Sequence, residues 1–309
     1  MGSNEITRKD IRMRSCWILY VFLIPATILT FIFSYIPMFT NIMAFQDYHI
    51  NNGWLGLGSK FVGFRNFYFL KERWFWELAG RTVFYSFTIL VTSFPLPLIL
   101  ALLLNELKNQ TFKKFVQTVS YIPRFVSWVT VAGMFYIFLS VDPSGVVNNI
   151  KQAVFGGERI SYMQHEIYFL PILVISNIWK ELGWGTIIYL AAITNISPEL
   201  YEAAQVDGAN RWHRAIYITL PGLIPTFCIL LIFSLGGLVN TNFDQVFNLQ
   251  NQVIRESTDT INIWVFYKGI RAQLFGLSSA VALFNGLVTF VLVMTGNYIT
   301  KKLNNTAII

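Results

Sequence analysis

Residues 201–221, YEAAQVDGANRWHRAIYITLP, form a mostly polar segment between two long apolar stretches. Gly208 interrupts this segment near its middle, and Pro221 lies at its end. A helix commonly stops where one residue adopts a positive φ, which glycine does without steric cost. The pattern therefore predicts two short helices joined by a turn at Gly208, with Pro221 marking the entry to the next apolar segment.

The start of this loop is marked as well. Ser197 is a favourable N-cap residue, Pro198 is a favourable first helical residue, and Glu199 complements the positive end of the helix dipole. We therefore predict one short helix from Pro198 to about Val206 and a second that begins near Asn210.

The composition indicates an integral membrane protein. Of the 309 residues, 54% are hydrophobic and 13% are charged, whereas soluble domains carry about 25% charged residues. The apolar residues occur in blocks of roughly the 20 residues that a helix needs to cross a bilayer. We predict an all-α polytopic membrane protein with six transmembrane helices, at about residues 17–40, 82–104, 119–140, 168–195, 218–240 and 274–299.

The distribution of Lys and Arg predicts the orientation, because short cytoplasmic loops carry an excess of both. Both termini and the 197–217 loop are expected in the cytoplasm. This orientation also explains the net charge of +7 without a nucleic-acid partner. The basic residues on the predicted inner side are Arg8, Lys9, Arg12, Arg14, Lys108, Lys113, Lys114, Arg211, Arg214, Lys301 and Lys302.

The predicted spans divide the chain into four parts. These are a cytoplasmic N-terminal tail (1–15), a first transmembrane helix with its outer loop (16–80), a five-helix core (81–300) that contains the 197–217 loop, and a cytoplasmic C-terminal tail (301–309). The outer loop includes FVGFRNFYFLKERWFWEL, with an aromatic residue at about every third position. Such a segment is typical of an aromatic belt at the membrane interface.

Lys180 and Glu181 interrupt the fourth predicted span, and charges at membrane depth commonly mark a pathway or an ion pair. Asn177, Glu181 and Trp184 follow the spacing i, i+4, i+7 and therefore share one helical face. A polar and aromatic face suits a sugar, which offers hydroxyl groups and an apolar C–H face. The same residues would also serve as hydrogen-bonding contacts between helices, and the sequence leaves both interpretations open.

Two other places carry polar residues at membrane depth. Asn285 and Thr289 lie with Ser278 on one face of the sixth predicted span, which makes them a second candidate substrate face. Arg124 follows Pro123, and the third helix is expected to begin there, with the arginine side chain extending to the interface.

Residues 202–221 resemble the EAA loop of binding-protein-dependent ABC importer permeases. Nine positions match: Glu202, Ala203, Ala204, Asp207, Gly208, Ala209, Ile218, Leu220 and Pro221. The phrase ISPELYEAAQVDGA looks most like the sugar-importing branch. IPMFTNIMAFQDY, FVGFRNF and PLPLILALLLNELKN resemble an LplB-like subgroup for oligosaccharides released from complex polysaccharides and glycans.

The resemblance implies a MetI-like fold, the type I importer architecture, and a place in the bacterial plasma membrane. It implies that the loop docks in a cleft of an ATPase subunit through Glu202, Ala203, Ala204, Asp207, Gly208 and Ala209. Glu202 would form an ion pair there, and Gly208 would make the turn. The implied partners are a second permease subunit, expected to be a different chain, two cytoplasmic ATP-binding subunits and an extracellular solute-binding protein that delivers the oligosaccharide.

No catalytic site is predicted in this chain. The sequence contains no G-x-x-x-x-G-K-[ST] motif, so ATP and Mg²⁺ are expected to bind to the partner ATPase subunits. Neither a metal-ligand spacing nor an arrangement typical of an intramembrane enzyme is present. The alternative that stays open is an importer permease of the same class for a non-sugar solute.

Overall fold

The computed structural model describes residues 17–53, 56, 58–239 and 242–304. The described chain is mostly helical, as predicted. Its two-stranded antiparallel sheet joins β1 (Gln46–Asp47) to β2 (Lys60–Phe61), with Gln46 opposite Phe61. The predicted N-terminal tail, 1–15, lies outside the described residues, as do residues 305–309 of the predicted C-terminal tail.

Among the described residues, fourteen α-helical segments have four or more residues. In chain order they are α1 (Trp17–Thr30), α2 (Arg73–Ser93), α3 (Pro95–Asn105), α4 (Gln110–Tyr121), α5 (Trp128–Phe138), α6 (Val146–Phe155), α7 (Glu166–Ile193), α8 (Pro198–Val206), α9 (Arg211–Arg214), α10 (Leu220–Gly236), α11 (Phe243–Leu249), α12 (Arg255–Thr258), α13 (Ile261–Val265) and α14 (Phe275–Asn304).

Among the described residues, four helical stretches are long and apolar enough to cross a membrane, or five if a bent helix pair counts as one span. The four are Tyr20–Phe45, Arg73–Asn105, Arg211–Gly236 and Phe275–Lys302. The predicted fourth span forms the 28-residue helix α7, which is long enough but has a polar centre. The number of six spans and the cytoplasmic termini therefore stay predictions.

Two predicted boundaries shift. The second span begins at Arg73 rather than near residue 82. The fifth begins at Arg211 rather than near residue 218, because α9 continues through a π-helical turn, Ala215–Thr219, directly into α10. Pro221 lies inside this continuous helix, just after the π-helical turn, so it does not mark a break between loop and span.

The prediction of one continuous third helix over 119–140 is wrong. Helix α4 and helix α5 meet at an angle of 103°, and the 3₁₀ turn Ile122–Phe125 lies between them. Pro123 lacks an N–H, but Ile122 before it stays helical (φ −51°, ψ −43°), and the chain leaves helical geometry at Val126 (φ −77°, ψ +134°). Ser127 then caps α5 by accepting a hydrogen bond from the Thr130 N–H at 3.2 Å.

Close packing places α7 against its neighbours. A Cβ atom at Gly183 would lie 2.1 Å from the Ser120 carbonyl oxygen, so only glycine permits this approach of α7 to the end of α4. Farther along α7, Tyr189 and Ile193 pack with Ala101 of α3 and Leu223 of α10.

The described chain forms two compact units. One comprises residues 17–69 and 268–283, and the other comprises residues 70–267 and 284–304. In the first unit, the Phe45 ring contacts the rings of Phe61, Phe64 and Phe67 at centroid distances of 5.4–6.5 Å. The second unit contains the predicted ATPase-coupling residues, the predicted face of α7, Asn285 and Thr289, whereas Ser278 belongs to the first. The functional division into 1–15, 16–80, 81–300 and 301–309 stays a prediction.

Candidate functional site: coupling loop and cavity

The 197–217 loop has the predicted helix–turn–helix form. Helix α8 runs from Pro198 to Val206, and Gly208 follows with a φ of +76°. Ser197 occupies the N-cap position, as predicted, although its side chain makes no capping hydrogen bond. Asn210 caps the second helix, accepting a hydrogen bond from the His213 N–H at 2.9 Å.

The turn at Gly208 closes helix α8 with a paired hydrogen-bond pattern. The Gly208 N–H donates to the Gln205 carbonyl at 3.1 Å, and the Ala209 N–H donates to the Ala204 carbonyl at 2.8 Å. This is the Schellman arrangement, which requires a left-handed residue at the position of Gly208. The loop is thus a formed structural element rather than an irregular connection.

The predicted coupling residues present an accessible surface. Glu202, Ala203, Asp207 and Gly208 are exposed, and Glu202 has no salt bridge to any residue in the described part of the chain. Val206, between them, is 89% exposed. An apolar side chain so exposed beside a free carboxylate suits a docking surface.

Helix α8 is also fastened to the helix that follows the loop. The Tyr201 hydroxyl lies 3.0 Å from the Thr219 hydroxyl, and Thr219 is buried in the π-helical turn that leads into α10. Movement of α8 would therefore act directly on the long helix that begins at Arg211.

The predicted face of α7 borders a cavity of about 400 Å³. Asn177, Glu181 and Trp184 all line it, so the i, i+4, i+7 reading of one shared face is confirmed. Helices α2, α3, α10 and α11 supply the other walls. A cavity of this size falls within the range that small-molecule sites occupy.

The cavity wall contains unused hydrogen-bonding capacity. Four lining residues carry buried side-chain oxygens with no hydrogen-bond partner among the described residues: Ser86, Ser93, Tyr189 and Gln245. Buried polar groups are nearly always satisfied by protein or water. These oxygens have almost no accessible surface, so they lie behind the cavity surface, and a ligand would meet them only after a side chain turned.

Two hydrogen bonds fix the side-chain amide of Gln245. Its Nε2 donates to the Leu173 carbonyl at 2.7 Å and to the Ser176 hydroxyl at 2.9 Å. The side-chain carbonyl oxygen is left without a partner in the described chain, but it is buried and is not open to the cavity.

Lys180, predicted to belong to the substrate pathway, does not line this cavity. Its residue surface is 5% exposed, and its ammonium donates to the carbonyl oxygens of Pro123 (3.4 Å), Arg124 (3.0 Å) and Val126. Lys180 is therefore a shared donor to carbonyls at the break between α4 and α5, one of which, that of Pro123, also accepts from the Val126 N–H at 3.2 Å.

The sequence predicted that the Arg124 side chain extends to the membrane interface, but in the structure this side chain is paired. Its guanidinium forms a salt bridge to Glu181 and lies 5.5 Å from the centre of the Trp184 ring. The two residues that hold Arg124 are both part of the cavity lining. The break thus brings Arg124 to the edge of the cavity.

The second predicted face is not part of the cavity. Asn285 donates to the Val239 carbonyl at 3.1 Å, and Thr289 donates to the Asn285 carbonyl at 2.9 Å. Neither residue lines the cavity beside α7. Their contacts are those of helix packing.

Some cavity-lining residues were not predicted, and the sequence contained a signal for only part of them. Ser86 and Ser93 are spaced i, i+7 on α2, a repeat that marks one helical face. Tyr189 lies about 120° around α7 from Asn177, at 3.6 residues per turn, so periodicity did not place it on the predicted face. Gln245 had no such signal, because it lies in a seven-residue helix, α11, within a segment predicted as an outer loop.

Residues 79–304 match the family described as the binding-protein-dependent transport system inner membrane component. The chain belongs to this family. The resemblance inferred from residues 202–221 is thereby confirmed, as is the expectation of an integral membrane transport subunit.

The chain is similar to known relatives and to solved structures over nearly its whole length. It is 40% identical to the polygalacturonan/rhamnogalacturonan transport system permease protein YteP of Bacillus subtilis (strain 168), over 94% of this chain and 89% of that one. It is also 40% identical to protein LplB of the same organism, over 94% of this chain and 90% of that one. A crystal structure of a bacterial ABC transporter involved in the import of the acidic polysaccharide alginate matches with a TM-score of 0.86 and 34% identity, covering 96% of this chain and 99% of that chain.

Proposed function

We propose that this chain is a permease subunit of an ATP-driven importer and carries an oligosaccharide across the bacterial plasma membrane. The oligosaccharide would derive from a complex polysaccharide or glycan, and an extracellular binding protein would deliver it. The chain would form one half of the pathway, and the 197–217 loop would receive the ATP-driven movement.

The cavity beside α7 is the observation that carries this proposal. It combines the Trp184 ring with the polar side chains of Asn177 and Glu181 on one face of α7. An indole ring packs against the C–H face of a sugar, and the surrounding groups would bond its hydroxyls. A purely apolar solute would leave these groups unsatisfied.

The relatives favour the same class of solute. The name of YteP refers to polygalacturonan and rhamnogalacturonan transport. One matching crystal structure is of an alginate transporter in complex with a periplasmic protein bound to an alginate pentasaccharide, with a TM-score of 0.85 and 36% identity, over 97% of this chain and 99% of that chain. We infer by analogy that a binding protein also delivers the solute to this permease.

The remaining partners follow from the same proposal. Two cytoplasmic subunits would bind ATP and Mg²⁺, and a second permease chain, different from this one, would complete the pathway. The chain would cross the membrane six times with both termini inside, so that α7 and the bent pair α4–α5 supply the two spans beyond the four clearly apolar ones.

Reconstitution tests the proposal against the alternative of a non-sugar solute. The chain is extracted gently from its native membrane, co-purified proteins are identified by mass spectrometry, and the assembly is placed in liposomes with its binding protein. We expect an ATPase and a second permease to co-purify, and ATP-dependent uptake of labelled oligosaccharides. Uptake of peptides or metal complexes but not of sugars would establish the alternative, and a chain that purifies alone would contradict both.

Trp184→Ala tests the cavity directly. We expect it to lower the kcat/KM of oligosaccharide uptake by about tenfold, because a sugar loses a stacking surface worth on the order of 1 kcal/mol and its aligned contacts. Co-purification with the ATPase should not change, since Trp184 is remote in sequence from the 197–217 loop. Trp179→Ala is the control, because Trp179 lies on the same helix and outside the cavity lining. Equal uptake by the wild type and Trp184→Ala would exclude a sugar contact at this ring.

A further inference from the structure

The Arg124–Glu181 ion pair has no evident role in holding the fold. At the break between α4 and α5, the Lys180 ammonium binds the carbonyls of Pro123, Arg124 and Val126. The Pro123 carbonyl also accepts from the Val126 N–H at 3.2 Å. The Arg124 side chain satisfies none of these carbonyls in addition.

The pair also differs from Lys180 in accessibility. The side chains of Arg124 and Glu181 are 39% and 28% exposed, whereas Lys180 is buried. Glu181 and Trp184, the two residues that contact Arg124, both line the cavity. The guanidinium does not itself line the cavity, but it lies one side chain away from the space that a solute would occupy, and part of its surface is exposed.

We propose that Arg124 binds a carboxylate of the transported sugar and that Glu181 is the resident counter-ion which this carboxylate displaces. The inference rests on the proposed function and specifies its substrate class as a uronate-bearing oligosaccharide. The Arg124 side chain is then a specificity-determining group, and Lys180 is the residue that positions it.

The exchange follows from the chemistry of the guanidinium. Arginine binds a carboxylate through two parallel N–H donors, and a uronate presents the same two oxygens as Glu181. Replacing one carboxylate by another keeps Arg124 paired throughout. A neutral sugar offers only hydroxyls, which are weaker acceptors and leave the Arg124–Glu181 pair intact.

The surroundings suit the same exchange. Trp184 lies 5.5 Å from the Arg124 guanidinium carbon, so the ring retains the cation while its anionic partner changes. The released Glu181 would face the cavity, where sugar hydroxyls can donate to its carboxylate. An acidic sugar would therefore be held through its carboxylate at Arg124 and through its hydroxyls at Glu181.

Paired substrates and paired variants test the exchange in the complete importer in liposomes, with its binding protein. The probes are trigalacturonate and its trimethyl ester, which has the same rings and linkages but no charge. Because one binding protein serves every variant, its own preference cancels when the acid-to-ester uptake ratio of a variant is divided by that of the wild type. Arg73→Gln is the control, since Arg73 belongs to an exposed pair with Glu77.

We expect Arg124→Gln to lower the acid-to-ester ratio by about tenfold or more, the effect of losing a charge-assisted hydrogen bond. Glu181→Gln removes the competing anion and should lower the KM for trigalacturonate. The double variant should behave like Arg124→Gln, and Arg73→Gln should leave the ratio unchanged. If Arg124→Gln does not assemble, the KM of Glu181→Gln decides the question.

Other outcomes would overturn the inference. If Glu181→Gln and Arg124→Gln each impair both probes and the double variant restores uptake, the pair is structural. If the wild type transports the ester or other neutral oligosaccharides but not the acid, the substrate class is wrong while the proposed function stands. If no saccharide enters the liposomes, the proposed function itself fails.

Discussion

Gly208→Val should uncouple ATP hydrolysis from uptake while the long helices stay folded. Gly208 has a φ of +76°, and no atom lies within 4 Å of the position that its Cβ would take. The effect is therefore conformational and not a steric clash with a neighbour. A left-handed conformation costs an L-residue about 1–2 kcal/mol, and β-branching adds to this cost.

The loop has little other stabilisation with which to oppose that cost. The Gly208 and Ala209 N–H groups close α8 only while residue 208 stays left-handed, and the exposed surface of Glu202 and Val206 depends on that closure. We expect the purified importer to keep hydrolysing ATP while uptake falls by at least about tenfold, a factor that corresponds to the backbone cost.

Gly208→Asn is the matched control, because asparagine adopts the left-handed region more readily than other L-residues. It should retain most of the uptake. The measurement compares ATP hydrolysed per labelled sugar imported in liposomes for the wild type and both variants. If Gly208→Val transports at the wild-type rate, the turn is not part of the coupling path.

The coupling loop could be predicted from the sequence because its rules are local. Pro198, Gly208 and Asn210 each act on the backbone within a few residues of their own position, and the bounds of α8 were predicted to the residue. Whether the Ser197 side chain also forms a capping hydrogen bond depends on its rotamer, which residue type alone does not determine.

The cavity could be predicted only in part. Its α7 face followed from helical periodicity, but the opposite walls come from helices whose pairing the sequence does not reveal, and Gln245 lies in a segment that gave no signal. The 103° break escaped prediction because 119–140 is apolar enough to look like one span. Pro123 was visible in the sequence. Lys180, whose ammonium binds the carbonyls at this break, lies 57 residues away from Pro123.

Lys180→Met should destabilise the permease strongly. Methionine is unbranched like lysine and one atom shorter, but it cannot donate. The carbonyls of Arg124 and Val126 would therefore lose their partner at the helix break, and that of Pro123 would keep only the Val126 N–H. Each buried polar group left unsatisfied costs about 1–3 kcal/mol, and the lower desolvation cost of methionine offsets only part of this. We expect a net loss of about 2–4 kcal/mol, seen as a lower thermal midpoint of the detergent-solubilised importer at one fixed heating rate.

Lys151→Met is the control for this prediction, because Lys151 donates to a single backbone carbonyl, that of Glu158, at an exposed position. Its thermal midpoint should stay close to that of the wild type. A Lys180→Met importer as heat-stable as the wild type would show that the break holds without its ammonium partner. The lysine would then be free for the substrate pathway, where its position between Asn177 and Trp184 first suggested a role. A loss of stability together with a lower acid-to-ester uptake ratio would instead connect the two findings, since Arg124 can select a carboxylate only while Lys180 keeps the break, and with it the guanidinium, beside the cavity.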